Sequence, residues 1–329
     1  MAVPGDDGLE NVACNLCGSR RHTFVYEMPD PRYFPDELFQ VVECDDCGLG
    51  FVNPRPTLQE ISKYYPPEYF RSPSTQSFGR YLIRRFTREA RYLDDMWNGE
   101  TPRTLLDVGC ANGDFPRFMA ARGWQVEGVE VSPASQRITD FPVHTQEFHT
   151  IPTHEPTYDA ITAWAVLEHV HDPMAYFRKA AQVLRKNGRF IFAVTNFHSA
   201  ASRFLFCEDI PRHLYFFTRE TVRRYLQSVG LVWEKEDNGR AIYKLAPRNW
   251  LSFMWKSKLL GRGFTYKDLP LTSREFRKRH GLQPGIRAAL RYAAYSPSAS
   301  IDRMLWPIIE SAQILRKTYG ISVYVARKG

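Results

Sequence analysis

No apolar run in this chain is long enough to cross a membrane, and the segment from Met1 to Glu10 is acidic and glycine-containing, unlike a secretory signal. A cytoplasmic, reducing setting is therefore expected. Cysteine is sparse, with six in 329 residues, and in such a compartment closely spaced thiols point to metal before disulfide. Basic residues are almost missing between Cys14 and Cys47 (Arg20, Arg21 and Arg32 alone), so this stretch lacks the charge that grips phosphates. A Gly-x-Gly-x-x-Gly dinucleotide fingerprint is absent, and so is any Asn-Pro-Pro-Tyr base-flipping segment. No DNA partner is expected.

What is present centres on Leu105-Leu106-Asp107-Val108-Gly109-Cys110-Ala111-Asn112-Gly113-Asp114-Phe115. The apolar run from Thr104 to Val108 reads as a buried parallel strand, Gly109 to Gly113 as a tight turn, and Phe115 to Ala121 as a helix closed by Gly123. Strand, glycine turn and helix make a nucleotide-type site at the carboxyl edge of a parallel sheet. Its carboxylate, Asp107, would repel a pyrophosphate but suits a ligand carrying an ammonium group. The next strand, Gln125 to Val129, runs into Glu130, whose paired acceptors match a vicinal diol.

Asp107-x-Gly109-x-Ala111-x-Gly113 resembles motif I of the class I S-adenosylmethionine-dependent methyltransferases, and Glu130 falls where that family binds the ribose hydroxyls. The resemblance implies a seven-stranded Rossmann-like α/β sheet and a cofactor site of Asp107, Gly109, Ala111, Gly113 and Glu130. Gln146 or Glu147, after a third strand starting at Val143, sits where the family contacts adenine, and Trp164 joins this set from the fourth strand, Tyr158 to Val166. That strand leads into Leu167-Glu168-His169-Val170-His171-Asp172-Pro173, which is similar to the family's Val-Leu-Glu-His-x-x-Asp-Pro segment. A helix from Met174 to Lys186, a fifth strand from Arg189 to Thr195, a sixth opening at Leu231 and a seventh from Ile321 to Ala326 complete the core. Pro133 opens a helix after the second strand, and Phe78 to Trp97 form one before the first.

Cys14-x-x-Cys17-Gly18 and Cys44-x-x-Cys47-Gly48 are two knuckles that together offer four thiolates to one structural zinc, with no position left open for a substrate. Strands at Thr23 to Tyr26 and Phe39 to Glu43 would complete a zinc ribbon. Cys44 to Pro56 and the paired tyrosines Tyr64 and Tyr65 resemble the front end of bacterial zinc-ribbon methyltransferases acting on small molecules and sugars. Thr57 to Tyr65 reads as a short capped helix, and Tyr64, Tyr65, Tyr69 and Phe70 cluster around Pro66-Pro67, as packing between ribbon and core or as a lid on the cofactor.

The formal charge of +8 is unevenly placed: from Arg240 to Thr318 there are 16 Lys and Arg against 4 Asp and Glu, a net of +12, leaving −4 elsewhere. The expected division is therefore a zinc ribbon over 1–56, a helical and aromatic linker over 57–100, a core over 101–239, a basic helical insertion over 240–318 and the last core strand over 319–329. The insertion reads as a solvated face, a lid over an anionic substrate, or a peripheral contact with an anionic membrane.

Methyl transfer to a weak nucleophile needs a base, and His213 and His169 both fall on loops at the carboxyl edge. His213-Leu214-Tyr215-Phe216-Phe217-Thr218 resembles the His-Leu-x-Tyr-Phe-Ser segment of zinc-containing deoxysugar C-methyltransferases, whose histidine is the base. Ile210 and Pro211 depart from that pattern, so O-, N- and C-methylation stay open. Arg212, the insertion's cations and the cofactor's own charge are expected to keep His213 neutral. The expected acceptor is a small molecule, with nucleotide-linked or lipid-linked sugars among the candidates. The alternatives are a zinc-ribbon methyltransferase of RNA bases, with RNA the weaker partner, and a non-catalytic scaffold that binds the cofactor.

Overall fold

The computed structural model describes residues 8–30, 32–69, 76–96, 103–132, 138, 140–153, 155–205, 208–238, 250–261, 263, 265–268 and 273–329. Phe70, the helix expected from Pro133 and the first ten residues of the insertion lie outside this set. The N-terminal strands are β1 (Leu9–Glu10), β2 (His22–Asp30), β3 (Phe34–Cys44), β4 (Gly50–Val52) and β5 (Arg55–Pro56). Then come β6 (Thr104–Val108), β7 (Gln125–Val129), β8 (Val143–His144), β9 (Tyr158–Trp164), β10 (Leu184–Thr195), β11 (Tyr215–Phe216), β12 (Leu231–Asp237) and β13 (Ile321–Lys328). The helices are α1 (Gln76–Ala90), α2 (Asp114–Ala120), α3 (Pro173–Val183), α4 (Ala200–Arg203), α5 (Arg219–Ser228), α6 (Trp250–Phe253), α7 (Ser273–Arg279), α8 (Ile286–Tyr295) and α9 (Pro297–Leu315).

Seven strands form one sheet in the order β12-β13-β10-β9-β6-β7-β8, with β13 antiparallel to both neighbours. This is the seven-stranded α/β sheet expected from the sequence. Each strand divides its side chains between two apolar layers, because successive residues point to opposite faces. Leu106, Ile161, Phe190 and Phe192 enter one layer with α3 and α5, while Leu105, Ala160 and Ile191 enter the other with α1 and α2. Burial on both faces is why β9 is almost wholly apolar. Its one polar side chain inside the sheet, Thr162, donates to Asp107 at 2.6 Å, which satisfies both buried groups.

Three expected helices are shorter than their patterns, and the one expected from Phe78 to Trp97 ends at Ala90, with only a 3₁₀ turn at Asp94–Met96 after it. The one expected to run from Met174 to Lys186 starts at Pro173, capped by Asp172 accepting from the Ala175 N–H, and stops at Val183. Leu184 turns extended instead and pairs with Tyr158, so burial of its side chain outweighs the helix propensity of Arg185 and Lys186. Between Thr57 and Tyr65 only a single 3₁₀ turn forms, Ile61–Tyr64, because Pro66 disfavours helical dihedrals at Tyr65.

The N-terminal strands build a second sheet in the order β11-β4-β3-β2, whose fourth strand is lent by the loop after β10. Cys14, Val42, Leu49 and Phe51 share an apolar cluster with the core sheet, and Phe197, Ile210 and Phe216 pack with Tyr26, Met28 and Val41. Polar contacts fasten the same junction. Asn15, inside the first cysteine knuckle, donates to Asp172 and accepts from the Met174 N–H and the Tyr225 hydroxyl, each at 2.9 Å. Arg55 reaches Glu10, the carbonyl of His171 and the hydroxyl of Tyr215. Among the described residues, no helix is long and apolar enough to cross a membrane.

Candidate active site

At the end of β6 the chain turns through three left-handed residues, Gly109 (φ 72°), Ala111 (φ 51°) and Gly113 (φ 77°). A Cβ at Gly109 would stand 2.5 Å from a methyl carbon of Val166, and one at Gly113 would stand 2.8 Å from the Phe141 ring. Conformation and space both demand glycine there. The amides of Gly109 and Cys110 donate to the carbonyl of Val129, which ties the turn to the end of β7. Glu130 follows directly, its two carboxylate oxygens accepting from the Ala111 and Ser132 N–H groups at 2.8 Å each. Each oxygen keeps acceptor capacity, so the half-buried carboxylate, beside exposed backbone at Gly109 and Ala111, can still accept from a vicinal diol.

The other cofactor candidates range from buried to exposed. Asp107 is 2% exposed, and burial pushes its carboxyl up to about 8 despite the Thr162 hydrogen bond. Trp164 is buried against Phe115 and Tyr92, with ring centroids 5.7 and 6.2 Å away, and its indole N–H has no partner among the described residues. Glu147 accepts from the Tyr176 hydroxyl, while Gln146 is exposed.

Beyond β9 the chain brings the two histidines together. The carbonyl of Glu168 accepts from the amides of Leu214 and Tyr215, at 2.7 and 3.2 Å, and this stitches the segment after β9 to the one before β11. The His169 and His213 rings then meet edge to face with centroids 4.6 Å apart. His169 shares its Nδ1–H between the Arg212 carbonyl and the Tyr65 hydroxyl oxygen, both at 3.1 Å. His213 donates from Nδ1 to Glu208 Oε2 at 2.6 Å. Each ring therefore keeps Nε2 for other work.

Their charge states diverge. Burial and the neighbouring His213 drive His169 down to about 3, so it is neutral. Burial also disfavours charge on His213, but the hydrogen bond to Glu208 and the charges of Glu208, Glu168 and Asp209 outweigh it and raise it to about 9. This reverses the expectation that surrounding cations keep His213 neutral. Arg212 is fully buried and spent on two carboxylates: Nη1 meets Asp30 at 2.7 Å, while Nε and Nη2 grip Asp209 at 2.9 and 2.6 Å. Glu168, wholly buried, comes within 4.8 Å of a nitrogen in each histidine ring, and neither of its oxygens has a hydrogen-bond partner among the described residues. Burial lifts its carboxyl to about 7, against His213 and nearby amides, with Glu208 adding to the rise.

The four cysteines converge as the spacing requires. Cys14 and Cys47 sulfurs are 3.4 Å apart, those of Cys17 and Cys44 3.5 Å, and all four lie within 4.8 Å of one another. A zinc ion with bonds of about 2.3 Å needs tetrahedral edges of about 3.8 Å. Gly18 and Gly48, at φ 76° and 75°, close each knuckle by donating to the carbonyls of Cys14 and Cys44. The set fits a closed zinc site. A separate cleft of about 400 Å³, between Phe24, Glu43, Arg203, Phe204 and Phe253, shares no residue with the histidine cluster or the glycine turn.

Residues 78–236 match the family model described as a methyltransferase domain. The chain carries a methyltransferase domain. Relatives of this domain include the ubiquinone biosynthesis O-methyltransferase of Nitrosomonas europaea, 30% identical over 117 residues, covering 32% of this chain and 49% of that protein. The enzyme of the same name from Alkalilimnicola ehrlichii is 30% identical over 115 residues, with 32% and 47% covered. The chain thus spans about half the length of these relatives. Among solved structures, a geranyl diphosphate C-methyltransferase from Streptomyces coelicolor shares 15% identity at a TM-score of 0.45, over 79% of this chain and 87% of that one.

The sequence named Glu168, Arg212 and Tyr65 without showing their contacts at the histidine pair, and it gave Glu208 no role there. Glu168 and Arg212 each adjoin a singled-out histidine, and a charged residue next to a candidate base is a signal that could have placed them there. Tyr65 stood out only as part of the aromatic cluster, and its contact with His169, 104 positions on, had no local signal.

Proposed function

We propose that this chain is an S-adenosylmethionine-dependent methyltransferase whose acceptor is a small molecule with a weakly acidic hydroxyl. S-adenosylmethionine supplies the methyl group as an electrophilic sulfonium substituent. Glu130 receives the ribose hydroxyls, the backbone from Gly109 to Gly113 lies along the ligand, and Gln146 or Glu147 borders the adenine. His213 takes the acceptor's proton at Nε2, while Glu208 holds Nδ1–H and stabilises the imidazolium that results. His169, neutral and fixed by Arg212 and Tyr65, orients the acceptor from the other side.

The observation that carries this reading is the His213–Glu208 contact of 2.6 Å at the carboxyl edge of the sheet. A base raised to about 9 is matched to a phenol-like hydroxyl, whose ordinary value is near 10. The O-methyltransferase relatives support the same acceptor chemistry. The zinc ribbon is structural in this reading, since its four thiolates leave no open position. The test is incubation with methyl-labelled cofactor against phenolic compounds, nucleotide-linked and lipid-linked sugars, and RNA. Label on a phenolic oxygen supports the proposal. Label only in RNA, or cofactor binding with no transfer to any fraction, would replace it with a base methyltransferase or a scaffold.

A further inference from the structure

The basic insertion carries a helix that leaves a whole aliphatic face exposed. On α9 the most deeply buried side chains are polar, Asp302 at 4% exposed and Glu310 at 3%, and Trp306 and Ile314 pack beside them against the core. Asp302 accepts from the Leu251 N–H at the start of α6, and Glu310 accepts from the Tyr319 hydroxyl beside β13. Those turned outward are aliphatic: Met304 is 80% exposed, Ile308 69% and Leu315 85%. Steps of four and seven residues place them on one face. On α8, Ile286 and Leu290 form a second stripe, 82% and 67% exposed, and Trp255 adds an exposed indole. A helix whose carboxylates anchor it and whose aliphatic side faces water has its partner outside the fold.

Charge identifies the partner. Arg287, Arg291 and Arg303 are exposed on the same two helices. Of the segment's four acids, Asp302 and Glu310 are turned inward, and Asp268 pairs with Lys256. A second copy would bring one +12 segment against another. An anionic bilayer surface instead accepts aliphatic side chains, an interfacial tryptophan and arginines together.

We propose that α8, α9 and the turn carrying Trp255 dock the protein on an anionic membrane surface, lying in the interface without crossing it. The proposal is independent of the methyl-transfer chemistry, which lies in the other part of the chain. It is tested by floating the full-length protein with vesicles of phosphatidylglycerol mixed into phosphatidylcholine and with phosphatidylcholine alone. The expected result is partition onto the anionic vesicles at least about tenfold stronger than onto the neutral ones, weakening as salt rises. Arg287→Glu with Arg291→Glu should lose about tenfold or more. Leu290→Asp with Ile308→Asp should abolish binding, while melting temperature and S-adenosylhomocysteine affinity stay unchanged. Absence of wild-type binding to the anionic vesicles overturns the proposal. So does a dimer seen by light scattering that Ile308→Asp dissociates, which would assign this face to a second copy.

Discussion

His213 is held by opposing forces, and its pH behaviour follows from their sum. Because Glu208, Glu168 and Asp209 raise it to about 9, most molecules at neutral pH carry the proton that a base must lack. We therefore expect kcat/KM to rise with pH and level off above about 9. Glu208→Gln removes the charge that retains the proton, so the rising limb should move down toward the ordinary histidine range. A profile that is flat between pH 6 and 10, or one that Glu208→Gln leaves in place, would remove His213 from the chemistry. His213→Ala should cost about 10²–10⁴ in turnover with S-adenosylhomocysteine affinity near wild type. Glu130→Ala tests the neighbouring site: losing two charged hydrogen bonds should cost about 1.5–3 kcal/mol, roughly ten- to hundredfold in cofactor affinity by calorimetry. Glu130 was legible in the sequence because it directly follows a strand beside the glycine turn. The charge of His213 was not, since Arg212 beside it is taken up by Asp209 and by Asp30, far up the chain, which leaves Glu208 to set the histidine's charge.

Among the elements, the two-residue strand β11 matters beyond its length. It joins β4 while its preceding loop presents His213, so the N-terminal sheet and the histidine cluster share one backbone. Arg212 locks this joint by bridging Asp30 of β2 to Asp209 and donating to the carbonyl of Tyr64. Arg212→Met would leave Asp30, 1% exposed, with no cation, and breaking a buried pair in this way should destabilise the fold by about 3–5 kcal/mol. Chemical denaturation measures it, and a loss below 1 kcal/mol would show that the joint is held by packing alone. Sequence pattern gave no warning of β11, because two residues are too few for periodicity to register.

For the whole molecule, the N-terminal sheet is less an appendage than a support for the histidine cluster. Asn15 holds the N-terminus of α3 from within a cysteine knuckle, and β4 holds β11. If zinc sits on Cys14, Cys17, Cys44 and Cys47, then Cys44→Ser or chelation should lower both the melting temperature and the turnover of the fraction that remains folded. The turnover loss should be about ten- to hundredfold, since displacing a catalytic group by a fraction of its bond reach has that effect. Metal analysis gives the stoichiometry, and wild-type turnover in folded, zinc-free protein would uncouple the two parts.

The sequence by itself determined the features that depend on neighbours along the chain. Strands β6, β9, β10 and β13 follow from apolar runs, with the total of seven implied by the family resemblance, the glycine turn from steric demands at Gly109 and Gly113, and the knuckles from Cys-x-x-Cys spacing. Tertiary structure decided whatever depends on groups distant in sequence. It stopped α3 at Val183 to bury Leu184, and it drew β11 into the ribbon sheet. It set His169 and His213 edge to face, one neutral and one charged. It also turned α9 so that its carboxylates face the protein and its aliphatic side faces solvent. Periodicity shows that a helix has two faces, but which of them meets the core is settled by the hydrogen-bond partners that Leu251 and Tyr319 provide.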